Sequence, residues 1–223
     1  MKNTKQTENA KQIIHLLIKH TKQFDAPLIN KIIKEYGKKP FLILVGCLLS
    51  LRAKDIFTIH VCRNLFKKAK TPQELLSIDS SELEKIIFKI GFYKNKAKAL
   101  HQVSRTIIDK YGGKVPKSKN ELLKIKGIGQ KTANLVVGLA FDTPAICVDT
   151  HVHRISNRLG IIKTKNVDES EAALEKIIPK KFWIEWNRLL VIWGQNVCTP
   201  RAPKCRRCAI NRLCDYFVKP KLT

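Results

Sequence analysis

Three sets of residues in this 223-residue sequence have types and spacings that can carry chemistry. The first is Lys131, two positions after the run Gly127-Ile128-Gly129. A lysine in the opening turn of a helix feels the positive helix end, and with partial burial this helps its amine toward the neutral, nucleophilic form. The second is Asp149, eighteen residues further on. It follows the apolar run Ala145-Ile146-Cys147-Val148, and a carboxylate returned to a cleft there can stabilise developing positive charge and manage protons. The third is the set Cys198, Cys205, Cys208 and Cys214, spaced C-x6-C-x2-C-x5-C. No secretory signal is read at the start of the chain, so disulfides are not expected, and four thiolates at this spacing read as a metal or cluster site. One C-x2-C knuckle in an irregular frame leans toward an iron–sulfur cluster and leaves tetrahedral zinc open.

Each set also has a plainer reading. Lys131 is one of 43 basic residues and can be a solvated surface lysine. Asp149 suits the N-cap of the following helix, HVHRISNRLG, and it can both cap that helix and serve a site. Asp149, His151 and His153 do not read as a metal nuclease, because their i, i+2, i+4 spacing separates His151 from the other two on a helix. Cys47, Cys62 and Cys147 lie among apolar neighbours and are expected to be small core residues.

The elements that must position these groups are helical. A short helix from Glu121 to Ile125 runs into Lys126-Gly127-Ile128-Gly129, and a second runs from about Gln130 to Phe141. Two glycines around one apolar residue suit a tight helix-to-helix hairpin whose uncovered amides can receive a phosphate oxygen. A P-loop would need glycine where Gln130 stands, and a dinucleotide fingerprint would need glycine at Thr132 after a strand. A purely structural turn remains the alternative. Elsewhere, Ile13, Ile14, Leu16, Leu17 and Ile18 mark a first helix behind a frayed Met1–Asn9. Pro27 and Pro40 are expected to open LINKIIKEYG and FLILVGCLLS, the latter apolar all round and hence central. Capping boxes are read at Thr71-Pro72-Gln73-Glu74, Ser81–Glu84 and Ser118–Glu121, and helix ends at Gly91 and Gly112-Gly113. Residues 145–148 read as a buried extended connection, followed by helices over Asp168–Ile178 and Lys181–Val197. With about ten helical segments, no alternating strand pattern and no internal repeat, the class is all-α.

Charge narrows the partner. The chain carries 43 Lys+Arg against 18 Asp+Glu, a formal +25 spread over its length. Such a surplus favours a polyanion, and nucleic acid is the commonest inside a cell. No lipid-anchor signal and no apolar run of about 18 residues accompanies it, so a soluble, intracellular protein with no membrane role is expected.

The order LKIKGIGQKTAN, VDTH and C-x6-C-x2-C-x5-C, with LVGCLLS and IGFYKNKA before them, resembles the endonuclease III family. The resemblance covers nearly the whole chain. It implies two helical lobes around a DNA-binding cleft, a helix-hairpin-helix glycosylase fold with a C-terminal [4Fe–4S] cluster loop. One lobe is a six-helix domain at residues 33–143; the other, bearing the cluster, combines residues 1–32 and 144–223. It implies a bifunctional DNA glycosylase and abasic-site lyase in which Lys131 is the nucleophile and Asp149 its carboxylate partner, while Cys198, Cys205, Cys208 and Cys214 ligate the cluster. The DNA-binding set is Arg52, Phe92, Lys126, Gly127, Ile128, Gly129, Arg201 and Lys204. Arg52 stands where the family commonly has a glutamine that fills the gap left by an extruded base, Phe92 at an apolar wedge position, and Lys126 at a usual proline. An arginine can hydrogen-bond an orphaned base edge and an aromatic can wedge between bases. The expected partner is double-stranded DNA with damaged pyrimidines or abasic sites, bound by a cytoplasmic monomer associated with the nucleoid if bacterial. The competing reading is a non-catalytic helix-hairpin-helix DNA-binding protein.

Overall fold

The structure, a computed structural model, describes residues 2–218. Its elements in order are α1 (Lys2–His20), α2 (Leu28–Tyr36), α3 (Pro40–Ser50), α4 (Asp55–Lys68), α5 (Pro72–Ser77), α6 (Ser80–Ile87) and α7 (Tyr93–Tyr111). There follow α8 (Lys119–Leu123), α9 (Gln130–Phe141), α10 (Thr150–Arg158), α11 (Val167–Glu175), α12 (Trp183–Asn196) and α13 (Asp215–Val218), with short 3-10 turns near residues 180, 205 and 211. Among the described residues there is no strand, so the fold is all-α. The chain divides into two compact units, residues 27–143 and residues 1–26 with 144–223. A division between residues 32 and 33 would cut through α2, which lies whole in the first of these units.

The 27–143 unit is built on α3. Nine consecutive residues of that helix, Phe41 to Leu49, are buried, which its all-round apolar sequence requires. Pro40 opens it with a ring pre-set for helical φ, and α2, α4, α7 and α9 pack around it. The capping box of Thr71 and Glu74 forms in full at the start of α5. The box expected at Ser81–Glu84 does not: Asp79 is the cap, accepting from the Ser81 amide at 3.1 Å and its hydroxyl at 2.7 Å, because a carboxylate two positions ahead reaches both donors. Ser118 is the N-cap of α8 without a side-chain cap bond, since Glu121 turns instead to Lys124 and the Tyr111 hydroxyl. Pro27 likewise stands one residue outside its helix, as N-cap of α2.

The other unit closes on α1, α10 and α12. Residues 2–9, expected to fray, continue α1, tied down where Thr7 Oγ1 donates to the Ile177 carbonyl at 3.0 Å. Ala10, Ile13, Ile14 and Leu17 are completely buried beside Trp186, Leu189, Leu190 and Trp193. Burying each such aliphatic side chain contributes about 1.5–3 kcal/mol, and this anchors the helix that residues 2–9 extend. Residues 145–148 are buried and belong to neither helix nor strand, and the Asn187 side-chain amide donates to the Cys147 carbonyl at 3.0 Å.

Candidate functional site

The glycine turn joins α8 to α9. Ile125 donates back to the Leu122 carbonyl at 3.1 Å and Ile128 to the Ile125 carbonyl at 3.0 Å, while the buried side chains of Ile125 and Ile128 fasten the turn to the core. Gly127 has φ +97, a conformation in which any L side chain is strained. Gly129 does not: its φ is −97, and an added Cβ would meet nothing within 4 Å. Neither its backbone angle nor its packing therefore requires glycine there. Lys126, Gly127 and Gly129 are exposed, and Gly129 is the N-cap of α9. Lys131 is the second residue of α9, half-buried, with Thr132, Ala133 and Asn134 turned inward behind it. Its charge reaches Cys47 on α3, where it partly opposes the burial that pushes that thiol up to about 12.

Arg52 and Phe92 stand in the same unit on two loops, after α3 and before α7. Both have left-handed backbone, φ 52 and φ 60, rare for residues with bulky side chains. The loops are neighbours, because a Cβ placed on Gly91 would lie 3.9 Å from the Arg52 carbonyl oxygen. Phe92 leaves 60% of its surface exposed, which packing alone does not explain for a phenyl ring. The sequence pattern of helix ends reads Gly91 as a terminator; α6 in fact stops at Ile87, and the left-handed position falls on Phe92.

In the unit of residues 1–26 and 144–223, Asp149 caps α10, and its Oδ1 accepts from the amides of His151 and Val152 at 2.9 Å each. These two bonds fix the carboxylate. His153 turns to the Ser170 hydroxyl at 2.7 Å, whereas His151 contacts Arg154, so the two histidines do not converge.

The four C-terminal cysteines line one cavity, partly open to solvent, with Trp193, Val197, Leu159 and Ile210 as apolar wall. Among the described residues, no three His, Cys, Asp or Glu side chains stand where one metal ion could bind them together. Donors nevertheless face the sulfurs. An Arg158 guanidinium N–H points at Cys198 Sγ from 3.4 Å, and the buried Trp193 N–H, without an oxygen or nitrogen acceptor, favours the Cys208 thiolate. Burial and the neighbouring cysteines push the Cys208 and Cys214 thiols up, so four thiolates here need a cationic centre among them. That donor set, sulfur-only and lining a cavity, fits an iron–sulfur group. By contrast Cys47 and Cys62 are buried thiols pushed to about 12, as core residues should be.

The sequence reading missed Arg154 and Arg158, although their i, i+4 spacing ahead of the cysteines was a usable signal. Arg158 donates to the Thr199 carbonyl at 2.8 Å and the Pro200 carbonyl at 2.7 Å, and it stacks on Tyr216 at 4.8 Å. Arg154 donates to the Cys198 carbonyl at 2.8 Å. Together they fix the loop between the first two cysteines, which presents Arg201 and Lys204, both exposed.

A helical unit carrying a glycine hairpin, with a four-cysteine cavity in its companion, is the architecture of a helix-hairpin-helix DNA repair enzyme. The family model for "HhH-GPD superfamily base excision DNA repair protein" matches residues 45–180, and the chain belongs to that superfamily and, within it, to the endonuclease III family. It is 40% identical to Endonuclease III of Thermotoga maritima over 195 residues, 85% of this chain and 92% of that protein. A trapped endonuclease III–DNA covalent intermediate matches at TM-score 0.76 and 37% identity, over 85% of this chain and 93% of that one. A non-covalent endonuclease III–DNA complex matches at TM-score 0.77 and 36% identity, over 93% and 95%. No helix among the described residues is long and apolar enough to cross a membrane.

Proposed function

We infer that this protein is a bifunctional DNA N-glycosylase and abasic-site lyase of base excision repair, acting on oxidised pyrimidines. The observation that carries the reading is Lys131 in the first turn of α9, directly behind an exposed glycine turn that accommodates a phosphate. Departure of the damaged base leaves positive charge on the anomeric carbon of the sugar. The Lys131 Nζ lone pair forms a bond to that carbon, and opening of the sugar gives an imine. Loss of the adjacent proton then expels the 3′ phosphate by β-elimination, and water later releases the lysine. Asp149 is assigned to stabilise the charge built up as the base leaves, its orientation set by the two amides it caps.

DNA contacts are divided among three places. Lys126 to Gly129 hold a phosphate of the damaged strand, Arg52 and Phe92 occupy the space opened by an extruded base, and Arg201 and Lys204 take further phosphates. Cys198, Cys205, Cys208 and Cys214 are assigned to a [4Fe–4S] cluster, which when bound supplies a rigid cross-link and no step of the reaction. The two compact units are taken as the two domains. The partner is duplex DNA bearing damaged pyrimidines or abasic sites, engaged by a cytoplasmic monomer.

The test is incubation with a duplex holding one oxidised pyrimidine. Free base together with a strand ending in an unsaturated aldehyde is expected. Base release with an intact strand would make Lys131 a bystander, and neither product would leave only a binding module.

A further inference from the structure

Lys96 is the only charged residue in the buried class among the described residues. It lies four residues into α7, and its Nζ donates to the Leu49 carbonyl of α3 at 2.8 Å. Burial alone lowers its pKa, so the site tolerates a buried ammonium at a cost. What it receives in return is position. Leu49 belongs to the last turn of α3, where carbonyls lack helical partners and a cation is favoured. From that turn the chain runs through Ser50 and Leu51 into Arg52. At the other end, the Lys96 amide donates to the Phe92 carbonyl at 3.0 Å, so Lys96 also closes the first turn behind the wedge loop. One residue thus grips both left-handed corners, Arg52 by its side chain through α3 and Phe92 by its backbone. Such corners persist only where their surroundings over-determine them.

We propose that Lys96 is a positioning residue that holds the Arg52 and Phe92 loops in mutual register, so that both side chains enter the duplex together when a base is extruded. The proposal rests on the roles assigned above to Arg52 and Phe92. A buried methionine of similar length would fill the space and leave the α3 end unheld, giving each loop its own choice of conformation. Loss of register then penalises base extrusion and leaves the chemistry at Lys131 intact.

The experiment uses full-length protein with its metal centre loaded, and 2-aminopurine opposite a stable abasic analogue as the reporter of gap filling. Lys96→Met should lose most of the binding-induced fluorescence change and slow single-turnover base release from duplex by on the order of tenfold to a hundredfold. Borohydride trapping on single-stranded abasic DNA, where no base need be displaced, should stay within about twofold of wild type. A Lys96→Met protein with the normal fluorescence change and base release overturns the proposal. Arg52→Ala/Phe92→Ala separates the two layers of the argument. If that pair also keeps the fluorescence change, the wedge assignment itself fails; if it loses the change while Lys96→Met keeps it, only the role of Lys96 fails. Should Lys96→Met not fold, Lys96→Arg keeps a cation at the α3 end with displaced donors and is expected to give an intermediate signal. A Lys96→Arg protein indistinguishable from wild type, beside an unfolded methionine variant, would assign Lys96 to stability alone.

Discussion

At the scale of single residues, Asp149 caps α10, and one substitution separates that role from the catalytic one proposed for it. Asparagine caps a helix nearly as well as aspartate, so Asp149→Asn should keep α10 and an unchanged melting temperature. Its amide cannot offset positive charge at the sugar, and base release should fall by roughly a hundredfold or more in single-turnover assays. Wild-type turnover would reduce Asp149 to a cap. The cysteines divide just as sharply. A thiol pushed to about 12 is a thiolate in roughly one molecule per ten thousand at pH 8, so Cys47 and Cys62 should resist iodoacetamide that modifies Cys198 and Cys205 in metal-free protein. Rapid labelling of Cys47 in folded protein would contradict its place in the core. The Asp149 cap and the core cysteines were legible from sequence, because cap chemistry and apolar neighbours are local. The i, i+4 spacing of Arg154 and Arg158 hints at a shared face, but what they fasten was not legible, since their partners are backbone carbonyls some 40 positions away.

At the scale of elements, the hairpin offers the cleanest test of phosphate binding. Gly127 must be glycine for its backbone, and its replacement mixes strain with lost contact. Gly129→Val is the sharper variant, for its φ is ordinary and the space around it open. It should weaken DNA binding by about tenfold on every sequence tried if the turn reads phosphate and not base, with a stability loss limited to the roughly 1 kcal/mol of a poorer N-cap. A sequence-selective loss would contradict the assignment. The hairpin, the buried α3 and the Thr71 box were readable because each depends on residues within one turn of each other. The boxes at Ser81 and Ser118 were misread for the complementary reason: Asp79 competes as cap for one, and Tyr111 on another helix draws Glu121 away from the other. The left-handed corners at Arg52 and Phe92 had no sequence signal at all, as neither is glycine or asparagine.

At the scale of the molecule, a formal charge of +25 makes association with duplex DNA steeply salt-dependent. Binding should fall with a log-log slope of about −0.9 per phosphate neutralised, and a flat response would show that the surplus serves another purpose. The metal centre proposed for the four cysteines is a second global property. Protein purified without oxygen should be brown, with about four iron and four sulfide per chain if the cavity holds a [4Fe–4S] cluster. Cys208→Ser should lose the colour and lower the melting temperature, because cluster binding and folding of that unit are coupled. One bound zinc and a colourless protein would assign the cavity differently. The division into two lobes was implied by the family resemblance, and its first boundary depends on where α2 packs, which a nine-residue amphipathic helix does not announce.

The central claim is that Lys131 forms a covalent imine with the sugar, and sodium borohydride tests it directly. With DNA containing an abasic site or an oxidised pyrimidine, the wild-type protein should become irreversibly joined to the strand. Lys131→Ala should give no adduct while binding the same DNA with nearly unchanged affinity, and Lys131→Arg should fail as well, because a guanidinium stays protonated. A Lys131→Ala protein that still traps and still cleaves the strand would contradict the account.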